Sequence, residues 1–188
     1  MSRPHLRRLF LPALLLALCT GMPPVLAADA SAYRIEMIIF RANGISGASE
    51  DWTIAPQPHG FGNAAAGGTP PRLLAVLPAT DYQLDGIDAR LRSSGIGRPL
   101  VHIAWTQTAA PWGTHAGLTL SDLGVQVPGL SGTVYFERGQ TYPHLGLDLT
   151  LGDYHINEMR SIKYGDKQYF DHPAFGVIAV ATPVRGTG

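Results

Sequence analysis

Cysteine is almost missing from this 188-residue chain: Cys19 is the only one. Everything after the first two dozen residues lacks a thiol, so no disulfide can staple a small core there. The fold must rest on buried apolar surface. Lysine is nearly as scarce, with Lys163 and Lys167 the only two. No Lys/Arg stripe runs along any segment, which argues against nucleic acid or an anionic lipid surface as a partner drawn by long-range attraction. The sequence also lacks a GxSxG elbow, an SxxK pair and an HExxH helix. Each would have placed a nucleophile or a metal-bound water on a known local geometry. His102, His144, His155 and His172 have none of the spacings that put two imidazoles on one face of a strand or helix. A cross-strand set such as His144 with Asp148 and His155 is conceivable, but the expectation is no metal and no cofactor. Strand carboxylates Glu36, Glu137, Asp148 and Glu158 leave a paired-acid site open without singling out a pair.

One long apolar run is present, and it is short for a membrane. Arg3, Arg7 and Arg8 precede LFLPALLLALC (9–19), and PPVLA (23–27) ends on small residues. This is the layout of a secretory signal peptide cleaved after Ala27. The run falls short of the roughly 20 residues that cross a ~30 Å hydrocarbon core. RRLFL (7–11) also resembles a twin-arginine signal, and Leu18 before Cys19 argues against lipoprotein processing. Removing the three arginines from 14 basic residues leaves 11 against 14 acidic ones, a formal charge of −3. The remaining stretch of about 160 residues suffices for one domain. Its 22 glycines and 15 prolines across the whole chain favour turns over a helix bundle.

YRIEMIIFRA (33–42) alternates Tyr33, Ile35, Met37 and Ile39 against Arg34, Glu36, Ile38 and Phe40. One face is apolar throughout and the other becomes so halfway, which predicts a strand central in its sheet. From residue 42 to residue 72 no period appears; a long loop anchored by Trp52 is expected. TDYQLDGIDARLRSSG (80–95) carries Leu84, Ile87 and Leu91 at helical spacing, with Thr80 or Asp81 as N-cap and Gly95 past the end. Period-two alternation then marks 98–107, 131–139, 141–152 and 153–165, and AFGVIAVATPV (174–184) reads as a last apolar strand stopped at Pro183. The sum is an α+β domain over residues 28–185: a predominantly antiparallel sheet of about six strands with one packed helix.

YFDHPAFG (169–176) is the densest stretch. Pro173 drives His172 out of the helical region and removes a donor, so the chain turns there. Asp171 can accept a backbone amide within that turn, Tyr169, Phe170 and Phe175 can clamp it, and Gly176 permits close approach. A functional reading instead has Tyr169 and His172 facing solvent.

That stretch, as RSIKYGDKQYFDHPAFGVIAVATPV (160–184), joins YRIEMIIFRA, EDW (50–52), LVHIAWTQ (100–107) and GTVYFERGQTYPHLGLDLTL (132–151) in a familiar order. With these motifs the chain resembles the CsiV family, periplasmic peptidoglycan-binding proteins concerned with cell-shape integrity in Gram-negative bacteria. It departs from the family at Arg160-Ser161-Ile162-Lys163, where a run of arginines is usual, and at Gln168, where a histidine is. The resemblance implies a periplasmic, non-catalytic protein that binds peptidoglycan and supports wall assembly. It further implies a link to an outer-membrane lipoprotein that activates a penicillin-binding protein. Alternatives are a protein scaffold docking that lipoprotein without touching the wall, and a wall hydrolase. A saccharide or stem-peptide ligand would use aromatic faces and a few oriented polar groups. Tyr169, His172, Asp171, Tyr142 and Trp105 are the candidates, with Arg160 for a stem-peptide carboxylate. Trp105 also fits a core position.

Overall fold

The structure is a computed structural model, and it describes residues 32–43 and 69–184. The leader expected over 1–27 and the Trp52 anchor lie outside the described residues.

Sheet A is ordered β2-β3-β1-β10-β9, where β1 is Tyr33–Ala42, β2 Leu73–Val76, β3 Gly97–Gln107, β9 Gln168–His172 and β10 Phe175–Pro183. All its pairings are antiparallel, and β1 stands in the middle, as its two-sided burial demands. Sheet B is built on β4 (Ala110–Pro111), β6 (Leu130–Arg138), β7 (Pro143–Leu151) and β8 (Tyr154–Ser161), in that spatial order. β5 (Gly117–Thr119) pairs with β6 as well. The ten-residue helix α1 (Asp85–Ser94) follows a short 3-10 turn at Ala79–Asp81.

The expected six strands are all present, but not as one sheet. Ten strands form two five-stranded sheets. The physical reason lies in β7, whose Leu145, Leu147, Leu149 and Leu151 form a fully inward row. A ten-residue helix cannot cover that row and the apolar face of β1 as well. The two apolar faces cover each other instead: Ile35, Met37, Trp105, Phe175 and Val177 of sheet A lie in one core with Val134, Phe136 and the β7 leucines. The second face of β1, with Ile38 and Phe40, is covered by Leu84, Ile87 and Leu91 of the helical segment. The molecule therefore has three layers, helix on sheet on sheet. The four unexpected strands are two to five residues long, too short to show a period.

The helix begins three to four residues later than Thr80 or Asp81 as N-cap would place it. Its N-cap position is Leu84, which offers no side-chain acceptor. The acceptor comes from β1: buried Glu36 takes the backbone N–H of Gln83 at 2.8 Å and of Leu84 at 2.7 Å. A carboxylate at a helix N-terminus satisfies donors that have no partner within the helix. Gly95 closes the other end at φ 70°, the left-handed conformation that favours glycine.

Candidate functional site

The YFDHPAFG stretch is a β-hairpin. β9 and β10 are joined through Pro173 and Ala174, with His172 opposite Phe175. Strand alternation then decides where each candidate points. Phe170 and His172 turn inward, while Tyr169 and Asp171 turn outward. Tyr169 and His172 consequently share no face.

Outward Tyr169 lies parallel to Phe40, with ring centroids 6.3 Å apart, and its hydroxyl donates to Asp171 Oδ1 at 2.7 Å. Partial burial, followed by the hydrogen bond and charge of Asp171, pushes its phenol up to about 12. Asp171 accepts this hydroxyl; the amide inside the turn, that of Ala174, donates instead to His172 Nδ1 at 3.1 Å. His172 is packed between the rings of Tyr154 and Phe175, and its Nε2 is buried without a partner. Burial holds this imidazole below its ordinary pKa.

Arg160 is committed to the same corner. It pairs with Glu158, donates to the Tyr169 carbonyl at 2.6 Å, and lies 4.8 Å above the Phe170 ring. It thus fastens β8, an edge of sheet B, to β9, an edge of sheet A. Trp105 is fully buried and donates through Nε1 to Gln107 Oε1 at 2.6 Å. A ligand cannot reach it without opening the core. Tyr142 is exposed, in the turn between β6 and β7.

The structure assembles polar and aromatic groups elsewhere, on the face of sheet B turned away from the core. The rows across β6, β7 and β8 there are Glu137–His144–Ser161, Tyr135–Gly146–Met159 and Thr133–Asp148–Asn157, followed by Ser131–Thr150–His155. Helix α1 lies on sheet A, so among the described residues no helix covers this face. The middle row is flat because of glycine. A Cβ on Gly117, the β5 neighbour of Tyr135, would stand 2.9 Å from the Tyr135 ring, and one on Gly146 would stand 2.9 Å from Met159 Cε. The tyrosine and methionine therefore lie down over bare backbone.

At one end of the face Trp112 is 51% exposed, and its ring rests on His144 with centroids 3.8 Å apart. The loop carrying Trp112 is tied down by Glu137, which is fully buried. Its carboxylate accepts the N–H of Gly113 at 2.8 Å and of His115 at 2.6 Å. Burial depresses the pKa of His144, partly opposed by the Glu137 charge. Farther along, His155 Nε2 and Asp148 Oδ1 are 2.6 Å apart. Asp148 and His155 thus meet across strands, but His144 sits two rows away against Trp112. No group of three or more His, Cys, Asp or Glu among the described residues is placed to hold a metal ion. The carboxylates Glu36 and Glu137 are buried in different sheets, each consumed by backbone amides.

Sequence reasoning missed Trp112 because PWGTH has no period and no motif. The signal that existed was the outward set of β7, His144, Gly146, Asp148 and Thr150, opposite a leucine row. No family model, no curated protein and no solved structure matches this chain. No helix among the described residues is long and apolar enough to cross a membrane.

Proposed function

We propose that this protein is a non-catalytic, peptidoglycan-binding accessory protein of the periplasm, akin to the CsiV family, that supports wall assembly and cell shape. The leader-like N-terminus and the ordered set of family-like motifs support the address and the ligand class. The observation that carries binding is the outer face of sheet B, which no helix covers among the described residues and which ends in a half-exposed tryptophan held by a histidine and a buried glutamate. Rigid aromatic faces beside oriented polar groups are how concave and flat sites hold saccharides at low entropic cost. The test is co-sedimentation of the mature domain with purified sacculi at low salt. Retention with the pellet is the expected result, and recovery of all the protein in the supernatant sinks direct wall binding.

A second reading, a scaffold for the lipoprotein that activates a penicillin-binding protein, is favoured by one feature. β2 is a short edge strand of sheet A with Leu74 and Val76 exposed. Such an edge accepts an added strand from a partner. Charged replacements at Leu74 and Val76 would then abolish lipoprotein crosslinking while leaving sacculus retention intact.

A further inference from the structure

We propose that the outer face of sheet B takes the glycan part of its ligand: a run of linked, uncharged pyranose rings laid from Trp112 toward Asn157. This rests on the wall-binding reading above and narrows it to the sugar chain as opposed to the stem peptides.

Three features of the face select that chemistry. The first is its charge. The outward residues of β5 to β8 include no lysine or arginine, and the one carboxylate reaching the surface is Asp148, already beside His155. A peptide bearing free carboxylates, or a phosphate, meets no cation there and one like charge. Sugar hydroxyls donate well to such a carboxylate, because a hydrogen bond to an ionised acceptor is the stronger kind. The second is shape. Tyr135 and Met159 lie flat over Gly117 and Gly146, giving a floor without protruding branches. Four residue steps along β7 lead from His144 to Asp148, about 14 Å at ~3.4 Å per residue, a length that takes more than one linked ring. The third is pre-organisation. Trp112 is half exposed yet fixed from below by His144 and through its loop by Glu137. An indole already in place loses little freedom when a pyranose ring stacks on it. Asn157 and Thr133, in the row beyond the floor, supply the neutral amide and hydroxyl that an acetamido substituent would meet.

The experiment uses the whole mature chain and two probes, purified sacculi and the peptide-free oligosaccharide N-acetylchitohexaose, followed by tryptophan fluorescence and calorimetry. Trp112→Ala and Asn157→Ala are compared with the parent, and unchanged urea midpoints show that each variant folds. The parent is expected to bind both probes, and Trp112→Ala to lose at least about tenfold in affinity for the oligosaccharide, the scale of one aromatic contact. Sacculus binding without oligosaccharide binding, or undiminished oligosaccharide binding by both variants, overturns the glycan assignment and leaves wall binding standing. Oligosaccharide binding without sacculus retention overturns wall binding and leaves the glycan face standing. Failure with both probes overturns both.

Discussion

Glu36 is a carboxylate with no exposed surface, and its environment explains why it stays charged. Burial pushes its pKa up, but the amides of Gln83 and Leu84 and the ring of His102, 2.9 Å away, outweigh this and hold it below the ordinary value. Glu36→Ala would leave those donors buried without an acceptor, a loss of about 3 kcal/mol; urea denaturation of the two proteins measures it. His172 predicts a second acid sensitivity. Its Nδ1 accepts the Ala174 N–H, so the proton of the neutral ring sits on Nε2, and protonation at Nδ1 breaks the turn. Burial lowers its folded pKa, with His155 of β8 adding to the effect and Asp171 of its own strand opposing it. The unfolded chain therefore binds the extra proton first. Stability is full above about pH 6.5, the unfolded value, and declines below it. The Glu36 contribution persists until its unfolded value of 4.5 is passed and is lost as pH falls through the still lower folded value. Thermal melts from pH 8 to pH 4 should drop first near pH 6, where buried His144 adds to the effect of His172, and His172→Phe should shrink that first decline while leaving the later Glu36 decline in place.

At the scale of elements, the sheets depend on backbone approaching backbone. Gly132 of β6 has φ 134°, and a Cβ there would stand 2.0 Å from the Asp148 carbonyl oxygen of β7. Neither strand can yield without breaking the ladder, so Gly132→Ala should destabilise by more than 2 kcal/mol or abolish folding. Gly86 in α1 is the contrast: its substituent meets nothing within 4 Å and its φ is ordinary. Gly86→Ala should stabilise by about 0.5 kcal/mol, read as a raised urea midpoint. Both glycines interrupt a periodic segment, and nothing local distinguishes them. The strand of residues 33–42 was fully legible, including its central place, because two apolar half-faces need two covering layers. The start of α1 was not, because its capping carboxylate comes from 48 residues earlier in the chain.

For the whole molecule, the corner formed by β8 and β9 is where the two sheets are fastened at their edges. Arg160→Ala should raise amide exchange across Gln168–His172 while β1 and β3 stay protected, a pattern hydrogen exchange resolves. Wall binding, in turn, should depend weakly on salt. Residues 28–188 carry a formal charge of −3 and the outward residues of β6 to β8 include no lysine or arginine, so screening between 50 and 300 mM salt removes little attraction. Sacculus retention that vanishes over that range would locate the contact on the arginines of another surface.

The amino-acid sequence by itself determined the alternation of six strands, the helix over its apolar positions, and the turn at His172-Pro173. Those follow from local sterics and from which side of a strand each apolar side chain occupies. Tertiary structure alone decided how many sheets there are and which faces remain open. Period-two patterning states that a row is buried without stating what buries it. Stacking one apolar sheet face on another sent His172 and Trp105 inward. It left Tyr169 on the helix side and put Trp112, a residue without a pattern of its own, at the end of the only large sheet face among the described residues that no helix or second sheet covers.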